Sequence, residues 1–148
     1  MSSSHTRKNG FTFLELLIVL SIMLVIGVMS SVIYSRFLLQ NAVANTQDEL
    51  FGQFRKAQLY AMVGKQNSNW GVNYGTNKIT LYKGNSFASR TTAFDEIFTV
   101  NTTVNVNGLS DENFSRITGT PSTTLSITMS GGGNSKTLSV NAQGMASE

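Results

Sequence analysis

Residues 11–33 read FTFLELLIVLSIMLVIGVMSSVI, a 23-residue run whose single charge is Glu15. At about 1.5 Å per residue a helix of this length measures ~35 Å, enough to cross a hydrocarbon core of ~30 Å. Arg7 and Lys8 stand just before the run, and no basic cluster stands just after it. That asymmetry predicts a cytoplasmic N-terminus and an exported C-terminal mass. Glu15 is the anomaly. An acid such as Asp at the centre of a spanning helix costs ~2.5–3.5 kcal/mol, and less near an end, so Glu15 needs a partner or a purpose.

Composition narrows the function classes. The chain has 148 residues, of which 13% are charged, against roughly 25% in soluble domains. A net charge of +3 is too mild to argue for nucleic acid by itself. With no cysteine, disulfide scaffolds, thiolate zinc sites and cysteine nucleophiles are excluded. His5 is the single histidine, so neither a Ser-His-Asp triad nor a multi-histidine metal site is expected. The sequence calls for no cofactor.

Two other readings of residues 11–33 are open. A secretory signal peptide would have an apolar core of 7–15 residues and a nearby cleavage site. Ala42-Val43-Ala44 has that site's form, but it lies well beyond a run that is already too long. A plain membrane anchor leaves Glu15 unexplained, unless its carboxylate simply snorkels to the interface.

Arg7-Lys8-Asn9-Gly10 followed by Phe11-Thr12-Phe13-Leu14-Glu15 resembles the N-terminal signal of type IV prepilins and type II secretion pseudopilins. The resemblance implies cleavage between Gly10 and Phe11 by a membrane-embedded prepilin peptidase, then N-methylation of Phe11. The apolar segment stays in the mature protein. Each position suits that chemistry: Gly10 lets the backbone enter a narrow protease cleft, and Arg7 and Lys8 hold the leader at an anionic cytoplasmic surface. Cleavage creates an amine on Phe11, one helical turn from the Glu15 carboxylate. Pairing between subunits would offset the cost of the buried acid and set the axial register, the assembly role the resemblance gives Glu15.

Beyond the run, Val43, Leu50, Phe54, Ala57 and Ala61 recur at spacings of seven, four, three and four, one face of an amphipathic helix. Gln47, Asp48, Gln53, Arg55 and Lys56 are expected on the exposed face, and Gly64 as the stop. The only proline is Pro121, so a kink, or melting on assembly, would fall near Gly27 or Ser30-Ser31. After Gly64 the chain turns to Ser, Thr, Asn and Gly with short β-favouring runs. Trp70–Tyr74 and Lys78–Tyr82 flank Gly75-Thr76-Asn77, a hairpin signal. Further strands are expected at 96–100, 103–106, 114–117, 124–129 and 137–140. Leu125, Ile127 and Met129 alternate with Ser126 and Thr128, as in a half-buried strand.

The expected fold is α+β and pilin-like: one long N-terminal helix, transmembrane in its first half, packed against an antiparallel β domain. Residues 1–10 form the leader, 11–33 the membrane and filament-core segment, 34–64 the amphipathic half, and 65–148 the β domain. The order of elements, closing on Leu138-Ser139-Val140-Asn141-Ala142-Gln143-Gly144, is similar to the GspH/FimT group of minor pseudopilins. That resemblance implies a non-enzymatic filament subunit at the inner membrane and then in a pilus or pseudopilus. Its partners would be prepilin peptidase, other pilin-type subunits and the inner-membrane assembly platform. A major shaft subunit is the alternative. So is a DNA-binding competence pilin, for which Lys78, Lys83, Arg90 and Arg116 would have to gather with Trp70, Tyr74 or Tyr82. Scattered solvated charges are the simpler reading. Asn107–Asn113 is oxygen-rich but lacks an EF-hand pattern, and nothing suggests a pocket around Asp95-Glu96 or Asp111-Glu112 that would make either an acid–base pair.

Overall fold

The computed structural model describes residues 11–148, without the side chains of 29–33. The leader residues Arg7, Lys8 and Gly10 lie outside the described residues. The chain divides into two units, Met1–Arg36 and Phe37–Glu148. Helix α1, Phe13–Met62, contributes to both.

In the first unit every described side chain from Phe11 to Val28 is exposed. Ser21 Oγ donates to the Ile18 carbonyl at 2.7 Å, so its hydroxyl is satisfied by the helix's own backbone. The backbone stays helical through Gly27; the side chains of Ser30 and Ser31 lie outside the described residues. The same holds for the end of the 11–33 run. The backbone of the run is helical from Phe13 onward without a break, as part of α1. Among the described residues no helix is long and apolar enough to cross a membrane.

In the second unit α1 buries the face its spacing predicts. Val43, Leu50, Phe54, Ala57 and Ala61 are each 1% exposed or less. Gln47 departs from expectation: it is buried rather than exposed, because its Nε2 donates to the Thr137 carbonyl at 3.3 Å. That bond replaces water at the amide nitrogen, while Oε1 is buried without a hydrogen-bond partner. Gly64 ends the helix in the left-handed region at φ 62°. Its N–H bonds the Ala61 carbonyl at 3.0 Å, a conformation that costs glycine least.

Among the described residues eight strands form two antiparallel sheets. The first holds β1 (Trp70–Gly75), β2 (Lys78–Lys83), β3 (Glu96–Thr99) and β5 (Asp111–Phe114) in the order β3-β2-β1-β5. The second holds β4 (Asn105–Asn107), β6 (Leu125–Gly131), β7 (Asn134–Val140) and β8 (Ala146–Ser147) in the order β4-β6-β7-β8. The β1–β2 hairpin forms as expected, with Gly75 opposite Lys78. Its turn residues Thr76 and Asn77 have φ 53° and 57°, the positive values a tight two-residue turn needs. On β6, Ile127 and Met129 are buried while Ser126 is exposed.

The strand expected at 114–117 is displaced. β5 runs Asp111–Phe114 instead, and Ile117 lies beyond it at φ 74°. Asp111, Glu112 and Asn113 are poor strand formers, but Glu112 is buried at 1% exposure with four donors on its carboxylate. The backbone N–H and hydroxyl of both Ser122 and Thr123 reach it at 2.6–3.1 Å. That polar closure overrides propensity.

Both sheets rest on α1. Phe54 meets Phe114 edge-on at 6.0 Å and Tyr60 meets Trp70 at 4.9 Å, which seats the first sheet. The Gln47–Thr137 bond ties in the second. Gln58 Nε2 donates to the Gln143 carbonyl at 2.8 Å, and the Ile117 N–H to the Ala61 carbonyl at 2.8 Å. Phe54→Ala is expected to lower unfolding stability by about 3–5 kcal/mol. Leu59→Ala, on the exposed side of the same helix, should change it by no more than about 0.5 kcal/mol. Denaturant titration of both variants checks this, and equal losses would contradict the assignment of faces.

Candidate processing and assembly site

The head of α1 is built by a local capping pattern. Thr12 Oγ1 accepts the Glu15 N–H at 3.3 Å, and the Thr12 carbonyl accepts the Leu16 N–H at 3.2 Å. Thr12 is therefore the N-cap, and Thr12-Phe13-Leu14-Glu15 has the S/T-x-x-E form of a capping box. This signal was legible in the sequence, yet the prepilin reading of Glu15 does not call on it. The cap places Glu15 in the first turn, where a negative charge faces the positive end of the helix dipole. Phe11, 84% exposed, precedes the cap, and Glu15 is exposed as well. The Phe11 and Glu15 side chains are thus both open to solvent.

Several of the other candidate residues are used inside the fold. Arg90 Nε donates to Asp95 at 2.8 Å, Lys56 pairs with Glu96, and Arg116 bonds Asn67. Trp70 and Tyr82 are fully buried, so neither offers a face for base stacking. With Lys83 over the Phe94 ring as well, the seven groups are not gathered into one basic–aromatic patch. Asp111 accepts from the Tyr82 hydroxyl at 2.7 Å and from the Phe87 N–H at 3.0 Å. That pins the 84–95 excursion over the outer face of β2. Among the described residues no group of three or more His, Cys, Asp or Glu could hold a metal ion.

Comparison with known proteins gives one match: a family model described as the prokaryotic N-terminal methylation motif covers residues 5–31. No curated protein and no solved structure matches the chain. The matched segment contains Gly10, Phe11 and Glu15 and heads α1. The chain therefore carries the type IV prepilin signature, joined to an α+β domain of pilin-like build.

Two outcomes follow from this geometry. Thr12→Ala removes the cap acceptor, worth about 1 kcal/mol; the Glu15 amide should then exchange roughly fivefold faster in detergent, and unchanged exchange would exclude the cap. Burial first, and the Asp111 hydrogen bond second, hold the Tyr82 phenol well above the usual tyrosine range. The neutral phenol is the form the fold prefers, so this contribution is intact below about pH 10 and is lost as pH rises above it. In a tyrosinate absorbance titration Tyr82 should ionise only as the domain loses its near-ultraviolet dichroism, and Tyr82→Phe should remove that step. Ionisation of Tyr82 with the fold intact would contradict the account.

Proposed function

We propose that this chain is a prepilin-type precursor cut between Gly10 and Phe11, N-methylated on Phe11, and assembled through α1 into an inner-membrane-rooted pilus or secretion pseudopilus. The observation that carries the reading is the methylation motif over residues 5–31, set on a helix that begins at Phe13. Prepilin peptidase acts on the leader side, and other pilin-type subunits and an assembly platform receive the stem. Arg7 and Lys8 hold the leader at the cytoplasmic surface until the cut.

In this reading Glu15 is the register residue. Its carboxylate meets the Phe11 amine of a neighbouring subunit, and the pair offsets the cost of an acid in an apolar stem. The N-cap bond uses the Glu15 backbone N–H, not its carboxylate, so removing the side-chain charge keeps that bond and loses only the interaction with the helix dipole. The β domain, with its two sheets, supplies the outward surface of a minor subunit similar to the GspH/FimT group. The major-subunit reading differs from this one only in copy number.

Glu15→Ala is expected to insert and be processed normally, and to fall at least tenfold in sheared filaments relative to membranes. Normal incorporation would remove the register role. Gly10→Val should leave the chain uncut and out of filaments, because a β-branched side chain replaces the one residue without a Cβ at the cleft; a processed Gly10→Val chain would contradict the cleavage site.

A further inference from the structure

Charge has one sign at the end of the second unit where α1 enters it. Between Glu15 and Asp48 the single charged residue is Arg36, and in the strands of the second sheet the single one is Lys136. Lys136 is exposed. It enters neither of the ion pairs and none of the ring contacts among the described residues. It borders a notch of about 340 Å³ between α1 and the β6–β7 turn, lined also by Gln40, Asn41, Asn134 and Ser135. Gln40 Nε2 donates to Asn134 Oδ1 at 3.3 Å, which leaves the Asn134 amide nitrogen as a donor. The Asn41 amide and the Ser135 hydroxyl add two more beside one ammonium. No carboxylate lines the notch, so its chemistry suits an anion rich in acceptor oxygens, such as a phosphate.

The notch lies close to the apolar run. The β6–β7 turn rests on Leu39: a Cβ at Gly132 would meet the Leu39 side chain at 2.7 Å. Leu39 follows Ile33, the last residue of the run, by six positions, about 9 Å of helix. The headgroup layer on one side of a bilayer is ~5–8 Å thick. Within those six positions stand Tyr34, Phe37 and Leu38, all exposed, and Arg36. Tyrosine and snorkelling arginine are residues that settle at a membrane interface.

We propose that the notch seats the phosphate of an anionic phospholipid, so that the β6–β7 end of the β domain docks on the bilayer that holds residues 11–33. The proposal rests on the anchoring reading above and adds a headgroup contact to it. The Lys136 ammonium and the amide and hydroxyl donors around it meet the phosphate oxygens, while Phe37 and Leu38 enter the layer beneath. A free phosphate ion offers the same oxygens. Only a lipid also gives a use to the exposed apolar residues just before Gln40, and only a bilayer continues from the run itself.

The chain has no cysteine, so one introduced thiol carries one fluorophore. Asn105→Cys is exposed on β4, opposite Ser130, which is in turn opposite Ser135 on β7. It therefore lies level with the notch without lining it. Ser126→Cys, exposed on β6, stands four residues further along that strand, about 13 Å away. The labelled full-length chain is placed in vesicles of phosphatidylglycerol and phosphatidylcholine in which some headgroups carry a nitroxide quencher. Quenching at position 105 is expected to exceed that at 126 at least threefold. Lys136→Glu should abolish the excess and Lys136→Arg should keep it, and vesicles of phosphatidylcholine alone should reduce it at least twofold. Equal quenching at the two positions, or an excess that Lys136→Glu leaves unchanged, would overturn the docking in a chain that still sediments with the vesicles. A chain that does not sediment with vesicles of either composition would instead overturn the anchoring reading, and the docking with it.

Discussion

The buried stripe of α1 is the constraint on which the β domain depends. Phe54 and Ala61 take up the end of the first sheet near Trp70 and Phe114, while Val43 and Gln47 take up the second sheet near β7. Neither four-stranded sheet closes on itself, and each needs an apolar surface to cover one face. The helix supplies both surfaces at once, and Gly64 stops it where β1 must begin. With no disulfide to hold the chain, this shared core is the main fastening, aided by side-chain bonds such as Gln58 to Gln143.

The polar fasteners explain what the sequence revealed and what it hid. Runs with a clear period were readable: the 23-residue apolar stretch, the seven–four–three–four stripe, the β1–β2 hairpin, and the alternation along β6. β5 was not, because Asp111-Glu112-Asn113 reads as a loop until Ser122 and Thr123 are known to close around the Glu112 carboxylate. That partnership spans ten residues of chain and has no local period. Gln47 was misplaced for the same reason, its acceptor lying on β7. β8 is two residues long and too short to carry any pattern. At the helix head the opposite holds: Thr12 and Glu15 are three apart, so the cap was present in the sequence alone.

The head of α1 joins local and functional chemistry in five residues. The same glutamate that the capping pattern favours by its position is the one whose charge has no intramolecular ion-pair partner among the described residues. Its backbone serves the helix, and in the proposed reading its carboxylate serves assembly. The matched motif ends at residue 31, so nothing in it constrains the β domain.

The central claim is that the apolar stem survives maturation. Intact mass with N-terminal sequencing of the chain recovered from membranes and from sheared filaments tests it most directly. The account predicts a mature chain that begins at Phe11 with a methylated amine. A mature chain that begins downstream of Ala44 would mean that the stem had been discarded, and would contradict it.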